Sequence, residues 1–354
     1  MSEEHGTVKK AGWGCFGCGL GLMISMLLVC GLIVLGLVWI GSMIPKESGS
    51  SSSSPDDPDS LEEEYVTGKH DEKSKIAVVN VRGVIVSEEE SLGSNLAQSR
   101  QICLRIRRAA SDPEVKALIV NLNTPGGEVV ASDEIYAEIM RFRKTGKPAV
   151  AMMNTMAASG GYYVAAACHP IIANKQTLTG SIGVIMSTIN YRGLFEKIGL
   201  QAEVYTSGKM KDMLNGARQR TPEEVRIVRE LVNNTYLEFT RIVAESRKIP
   251  VEKIRSSEIG DGRIFDGVQA KKLGLVDSLG YFRDAVNAAA KNAKLKPDSY
   301  TVIRYKESFS FARLVSMLSA RSGLKGVNVQ LSGTPSAPVF TPQPGRLYYL
   351  PAQF

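Results

Sequence analysis

Apolar side chains fall into three regimes along this chain. Residues 20–44 are apolar almost throughout, and no charged residue stands between Lys10 and Lys46. Crossing a bilayer takes ~20 such residues, so one membrane-spanning helix is predicted over 20–44. Residues 47–64 are the opposite, rich in Ser, Pro, Asp and Glu, with an unbroken serine run from Ser50 to Ser54. So little apolar surface cannot offset the entropy of ordering, and residues 45–74 read as a flexible linker.

From residue 75 onward, short β-branched runs alternate with stretches of helical period. Residues 76–86 (IAVVNVRGVIV) predict strands broken at Gly83, and 94–110 predict a helix carrying Leu96, Ile102, Leu104 and Ile106. A buried-type strand over 115–122 runs into Asn123-Thr124-Pro125-Gly126-Gly127, which readily continues neither strand nor helix. A helix over 131–144 is stopped by Gly146 and Pro148; a strand over 149–153, a serine-containing turn and a helix to 167 follow. Thr221-Pro222-Glu223-Glu224 forms a capping box with proline at the first helical position. Val225, Val228, Leu231, Val232, Phe239, Ile242 and Val243 continue it as a long amphipathic helix to Arg247. This alternation predicts an α/β domain with a mainly parallel sheet over 75–294. In the extension over 295–354, residues 322–354 hold five prolines and no convincing period, so that part is expected to be extended or disordered, with Leu347-Tyr348-Tyr349-Leu350 as a docking strand.

Composition adds limits. The chain has 354 residues and a formal charge of +7, and the first 60 residues contribute three lysines against six acidic residues, so the basic excess lies in the large domain. No zinc spacing, helix-turn-helix or RNA-binding aromatic motif accompanies that charge, and neither a nucleic acid partner nor a metal is indicated. Five cysteines are too scattered for a disulfide scaffold; Cys15, Cys18 and Cys30 accompany the apolar segment, while Cys103 and Cys168 are expected to be buried free thiols. Lys9 and Lys10 precede the apolar segment and only Lys46 closely follows it, which places residues 1–19 in the cytoplasm and the large domain outside.

The candidate chemistry centres on Ser159, in Met156-Ala157-Ala158-Ser159-Gly160-Gly161-Tyr162-Tyr163 at a strand-to-helix turn. A serine hydroxyl needs a base, usually histidine, and this chain has only three. His5 precedes the apolar segment and His70 lies in the polar linker. His169 follows Ser159 by ten residues, roughly 15 Å along a helix at ~1.5 Å per residue. A lysine of lowered pKa is the remaining common base, and Lys209 or Lys211, among Met210, Met213 and Leu214 beyond a predicted strand, suits that role. Spacing does not choose between them. The glycine turns at Gly126-Gly127 and Gly160-Gly161 each admit a close backbone approach and could offer N–H groups to an oxyanion.

The runs 123–127 and 157–163, Thr179-Gly180-Ser181-Ile182-Gly183-Val184, the run 207–213 and Ala270-Lys271-Lys272-Leu273-Gly274-Leu275-Val276-Asp277 occur in this order. Together they strongly resemble the signal peptide peptidases of the SppA type, also called protease IV, in their short single-unit form. The resemblance spans roughly 75–294 and implies a ClpP/crotonase-like fold without cofactor. It also implies Ser159 as nucleophile, Lys211 as general base and Ser181 as the hydroxyl supporting that lysine, with an oxyanion hole from Gly126 or Gly127 and Gly160. Family members form rings in which serine and lysine come from neighbouring subunits. The expected function is a membrane-anchored endopeptidase acting on apolar peptides such as remnant signal peptides. The alternatives are a crotonase-type enzyme on acyl-coenzyme A and a non-catalytic membrane scaffold.

Overall fold

β-Branched and aliphatic runs build the centre of the fold, because strands covered on both faces must be apolar at nearly every position. The computed structural model describes residues 58–70, 72–87, 96–307 and 347–350, and the apolar segment over 20–44 lies outside them. Among the described residues no helix is long and apolar enough to cross a membrane.

The chain proceeds through β1 (Leu61–Gly68), β2 (Lys75–Arg82), β3 (Val84–Val86), β4 (Leu96–Gln98), α1 (Ser99–Ser111), β5 (Val115–Thr124), β6 (Gly127–Glu128) and α2 (Val129–Lys144). Next come β7 (Ala149–Ala158), α3 (Gly160–Ala165), β8 (Ile171–Ala173), β9 (Leu178–Gly180), β10 (Ile185–Met186) and α4 (Arg192–Lys197). The last elements are α5 (Pro222–Arg247), α6 (Val251–Ser256), β11 (Ile264–Phe265), α7 (Gly267–Lys272), β12 (Ser278–Leu279), α8 (Phe282–Asn292), β13 (Thr301–Glu307) and β14 (Leu347–Tyr349).

The larger sheet has the order β1-β13-β2-β5-β7-β8-β12, with β9 and β11 continuing beside the end of β7. Its pairs from β13 to β12 are parallel, while β1 at the edge runs antiparallel to β13 and β11 antiparallel to β9. Successive residues of a strand point to opposite faces. Ala77, Val79 and Val81 therefore join the core beneath α1, α2 and α3, while Ile76 and Val78 join Ala285, Val286 and Ala289 of α8 on the other face. A second, smaller sheet has the order β10-β14-β6-β3-β4.

Three expectations are corrected. The folded part extends beyond 75–294, since β1, inside the expected linker, pairs with β13 in the C-terminal extension from Leu61↔Glu307 to Gly68↔Thr301. Its sequence, LEEEYVTG, is too acidic to read as a strand; long-range pairing creates it, with Glu64 bound to Arg304 at 2.8 Å and Glu63 to Lys75. No strand lies directly before the two lysines, since residues 200–206 hold no regular element. The helix after the serine turn ends at Ala165 rather than 167.

A partly buried ion pair fastens α5 to the sheet. Arg247, with a side chain only 6 % exposed, forks onto Asp277 at 2.7 and 3.0 Å, and Asp277 also accepts the Ile171 amide at 2.7 Å. Burial pushes the Asp277 carboxyl up, but Arg247 and the Ile171 amide outweigh it and hold it below its usual range. Asp277→Ala strands the guanidinium and is expected to cost about 3 kcal/mol of stability in denaturant unfolding. A cost below about 1 kcal/mol would show that water screens the pair.

Candidate active site

Ser159 is the single residue between β7 and α3, at φ 51° and ψ −114°. A non-glycine residue there stores of order 1–3 kcal/mol, so its surroundings must hold it. They do: the Ser159 N–H donates to the Gly180 carbonyl at 2.8 Å, and the Tyr163 N–H donates to the Ser159 carbonyl at 2.9 Å. One residue earlier, β9 pairs beside Ala157 and Ala158, and the Thr179 hydroxyl donates to the Ala157 carbonyl at 2.7 Å. Serine is a favoured helix N-cap, yet the Ser159 hydroxyl caps nothing. It is fully buried and makes no hydrogen bond. An orphan hydroxyl of this kind costs stability and calls for a functional reason.

Two glycine turns meet at this serine. A Cβ on Gly126 would come within 2.6 Å of the Gly160 nitrogen, and one on Gly160 within 3.2 Å of Gly126 Cα, so only glycines let the turns touch. Gly126 also has φ 107°, a region side chains avoid. The Gly126 N–H donates to the Thr124 hydroxyl at 3.0 Å and is not free. Of the three predicted oxyanion donors, Gly126 is thus engaged within its own turn, and Gly127 stands opposite Tyr349 in the pairing of β6 with the strand at 347–349. That Thr124 occupies the Gly126 amide was not legible in the sequence, because a threonine two residues before a glycine carries no special signal.

Ser181 adjoins the same place: it follows Gly180, is 5 % exposed, and donates its N–H to the Arg263 carbonyl at 2.7 Å. The lysines are not brought to the serine within one chain, since the Ser159 hydroxyl has no partner. They lie between α4 and α5, and here the structure separates them. Lys209 pairs with Glu223 at 3.2 Å, whereas Lys211 is exposed and makes no ion pair among the described residues. His169 is further from the serine than the helical estimate: its N–H bonds the Ala149 carbonyl at the start of β7, while Ser159 follows the end. Ten residues of strand separate those ends, on the order of 30 Å. Its ring faces Asp277 at 3.6 Å.

Cys103 and Cys168 are unbonded and buried, and burial pushes each thiol up to about 12, so neither supplies a thiolate. Among the described residues no cluster of His, Cys, Asp or Glu is placed to hold a metal.

An extended segment lies across the turns. β14 pairs antiparallel with β6 on one side, Tyr349 opposite Gly127, and with β10 on the other, Tyr348 opposite Ile185. The Tyr349 carbonyl oxygen would be 2.0 Å from a Cβ on Gly126. The Tyr349 ring is buried against Tyr163 and Phe239, with centroids at 5.0 and 4.7 Å.

Residues 141–296 match the model of peptidase family S49. An Enterococcus faecium protein that carries provisionally the name signal peptide peptidase SppA is 35 % identical over 85 % of this chain and 90 % of its own length. Protease 4 of Salmonella typhi is 38 % identical over 62 % of this chain and 35 % of its own. The chloroplastic serine protease SPPA of Arabidopsis thaliana is 35 % identical over 63 % and 33 %. Among solved structures, a ClpP1 mutant from Listeria monocytogenes superposes with a TM-score of 0.39 at 16 % identity, over 59 % of this chain and 94 % of that one.

Proposed function

Because this chain belongs to the SppA family within peptidase family S49 and is a serine peptidase, we propose that it is a membrane-anchored endopeptidase using a dyad of Ser159 and Lys211. The Ser159 oxygen attacks the scissile carbonyl as its proton passes to Lys211 Nζ. The Gly127 and Gly160 N–H groups stabilise the oxyanion. Lys211 then protonates the leaving amine, and afterwards takes a proton from the water that hydrolyses the acyl-enzyme. Ser181, beside the strand that holds the Ser159 amide, is the hydroxyl that steadies the lysine. The reaction calls for no cofactor.

The single observation carrying this reading is the buried, unpartnered Ser159 hydroxyl at a positive-φ turn, packed against a second glycine turn. The dyad is completed between neighbouring subunits of a ring on a ClpP/crotonase-like fold. Two features support this: among the described residues no base hydrogen-bonds the Ser159 hydroxyl within one chain, and the segment before the lysines leaves Ile189, Leu194, Ile198, Leu200, Val204 and Tyr205 exposed, an apolar surface suited to a second copy. The apolar segment over 20–44 anchors the enzyme with its catalytic domain on the extracytoplasmic side. Remnant signal peptides, which are apolar and membrane-bound, are the substrates.

Substrate binds as an extended strand antiparallel to β6, in the groove that β14 occupies here, which brings a peptide carbonyl to the glycine turns. Removing residues 347–354 is expected to raise the initial rate of hydrolysis of a fluorogenic apolar peptide several-fold, since the tail no longer competes. A synthetic peptide of residues 345–352 should inhibit the shortened enzyme competitively. An unchanged rate together with no competition would place the substrate elsewhere.

A further inference from the structure

The segment that carries Lys211 has almost no structure of its own. Between Gly208 and Asn215 its main-chain amides bond only within the segment, as from Lys211 to the Gly208 carbonyl at 3.0 Å and from Asn215 to the Asp212 carbonyl at 3.0 Å, and the one side chain from outside that reaches its backbone among the described residues is Arg218, at 3.4 Å from the Asp212 carbonyl. Leu214, at φ 75°, adds strain that the segment must be held against. Gly216 fixes the segment's far side, its carbonyl accepting the Tyr191 and Arg192 amides. A catalytic base on so loose a segment needs another tether, because a displacement of ~1 Å costs ~100-fold in rate.

Arg218 supplies one. Its guanidinium forks onto the Asp212 carboxylate, the residue next to Lys211, at 2.6 and 2.7 Å. The other edge forks onto Glu224 at 3.0 and 2.5 Å. Glu224 is 1 % exposed and belongs to the capping box of α5, where it also accepts the Thr221 amide at 2.7 Å. α5 is rooted in the core through Phe239, Ile242 and Val243. A continuous set of contacts thus runs from the core through α5, Glu224, Arg218 and Asp212 to the backbone of Lys211.

The arrangement does more than cap a helix. Thr221 and Glu224 already satisfy each other's amides at the start of α5, so that terminus does not require Arg218. Asp212 caps no helix, and its carboxylate holds Arg218 on two oxygens. Arg218, and after it the Thr221 amide, holds the Glu224 carboxyl down at about 2, so both acids stay ionised at physiological pH. Only a planar fork can bridge two carboxylates side by side; a lysine supplies a point charge.

We propose that Arg218 is the positioning residue of the catalytic lysine, clamping Asp212 to Glu224 so that Lys211 is presented in fixed geometry to the serine of its neighbour. The inference rests on Lys211 as the base. It touches no substrate and acts through the loop.

The test compares full-length wild type, Arg218→Gln, Arg218→Lys, Asp212→Asn and Lys211→Ala on one fluorogenic apolar peptide, with assembly size and melting temperature measured alongside. In Arg218→Gln, kcat is expected to fall about 100-fold with KM within about twofold, and Arg218→Lys should recover part of the loss. A merely structural arginine would lower the melting temperature but leave kcat per folded assembly unchanged, and that result overturns the proposal. So does a loss confined to KM. Should Arg218→Gln fail to fold, Asp212→Asn, which keeps shape and volume, decides in the same way. Full activity in Lys211→Ala would remove the dyad itself. An inactive Lys211→Ala beside a fully active Arg218→Gln would remove the clamp alone.

Discussion

Ser159→Ala abolishes peptide hydrolysis and leaves the protein folded. The expected loss in kcat is at least about 10⁴-fold, because a nucleophile works as a unit with its base and deleting it leaves only binding and oxyanion stabilisation. Stability should be nearly unchanged, for a reason specific to this site. The hydroxyl makes no hydrogen bond, so deleting it strands no partner and relieves one buried unsatisfied oxygen. The strained backbone is held by the Gly180 carbonyl and the Tyr163 amide, main-chain contacts that alanine keeps. Unfolding curves and peptidase assays on the same preparation check both halves. Activity within tenfold of wild type would remove Ser159 from the chemistry.

Lys211→Ala produces a loss of the same order, and Lys209→Ala does not. The two side chains stand two residues apart and share a loop, yet Lys209 is engaged by Glu223 while Lys211 has no ion-pair partner among the described residues. Truncating an exposed, unpaired lysine should cost within about 0.5 kcal/mol of stability, so lost activity reports on chemistry. Steady-state kinetics on both variants decide the assignment. An inactive Lys209→Ala beside an active Lys211→Ala would exchange their roles.

The sequence and structure agree where local pattern governs. β5 and β7 are apolar runs because both faces are covered, and α5 was marked at its start by Thr221, Pro222 and Glu224. They part where distant segments create an element. β1 is a strand only because β13, about 240 residues away, supplies hydrogen bonds and Arg304 for Glu64. The site was legible in the same uneven way. Ser159 and its glycines sit at turns that the sequence punctuates. Thr124 consuming the Gly126 amide, and Arg218 bridging carboxylates six residues to either side, depend on loop geometry that no period encodes. β14 was readable as a docking strand, but not the groove it fills, since that groove is assembled from β6 and β10.

The central claim is that one catalytic centre is built from the serine of one subunit and the lysine of the next. Mixing Ser159→Ala subunits with Lys211→Ala subunits, each inactive alone, tests it most directly. After dissociation and reassembly the mixture should recover a substantial fraction of wild-type activity, since some junctions unite an intact serine with an intact lysine. A reassembled mixture of the correct size that stays inactive, although wild type treated identically recovers, would contradict the shared dyad.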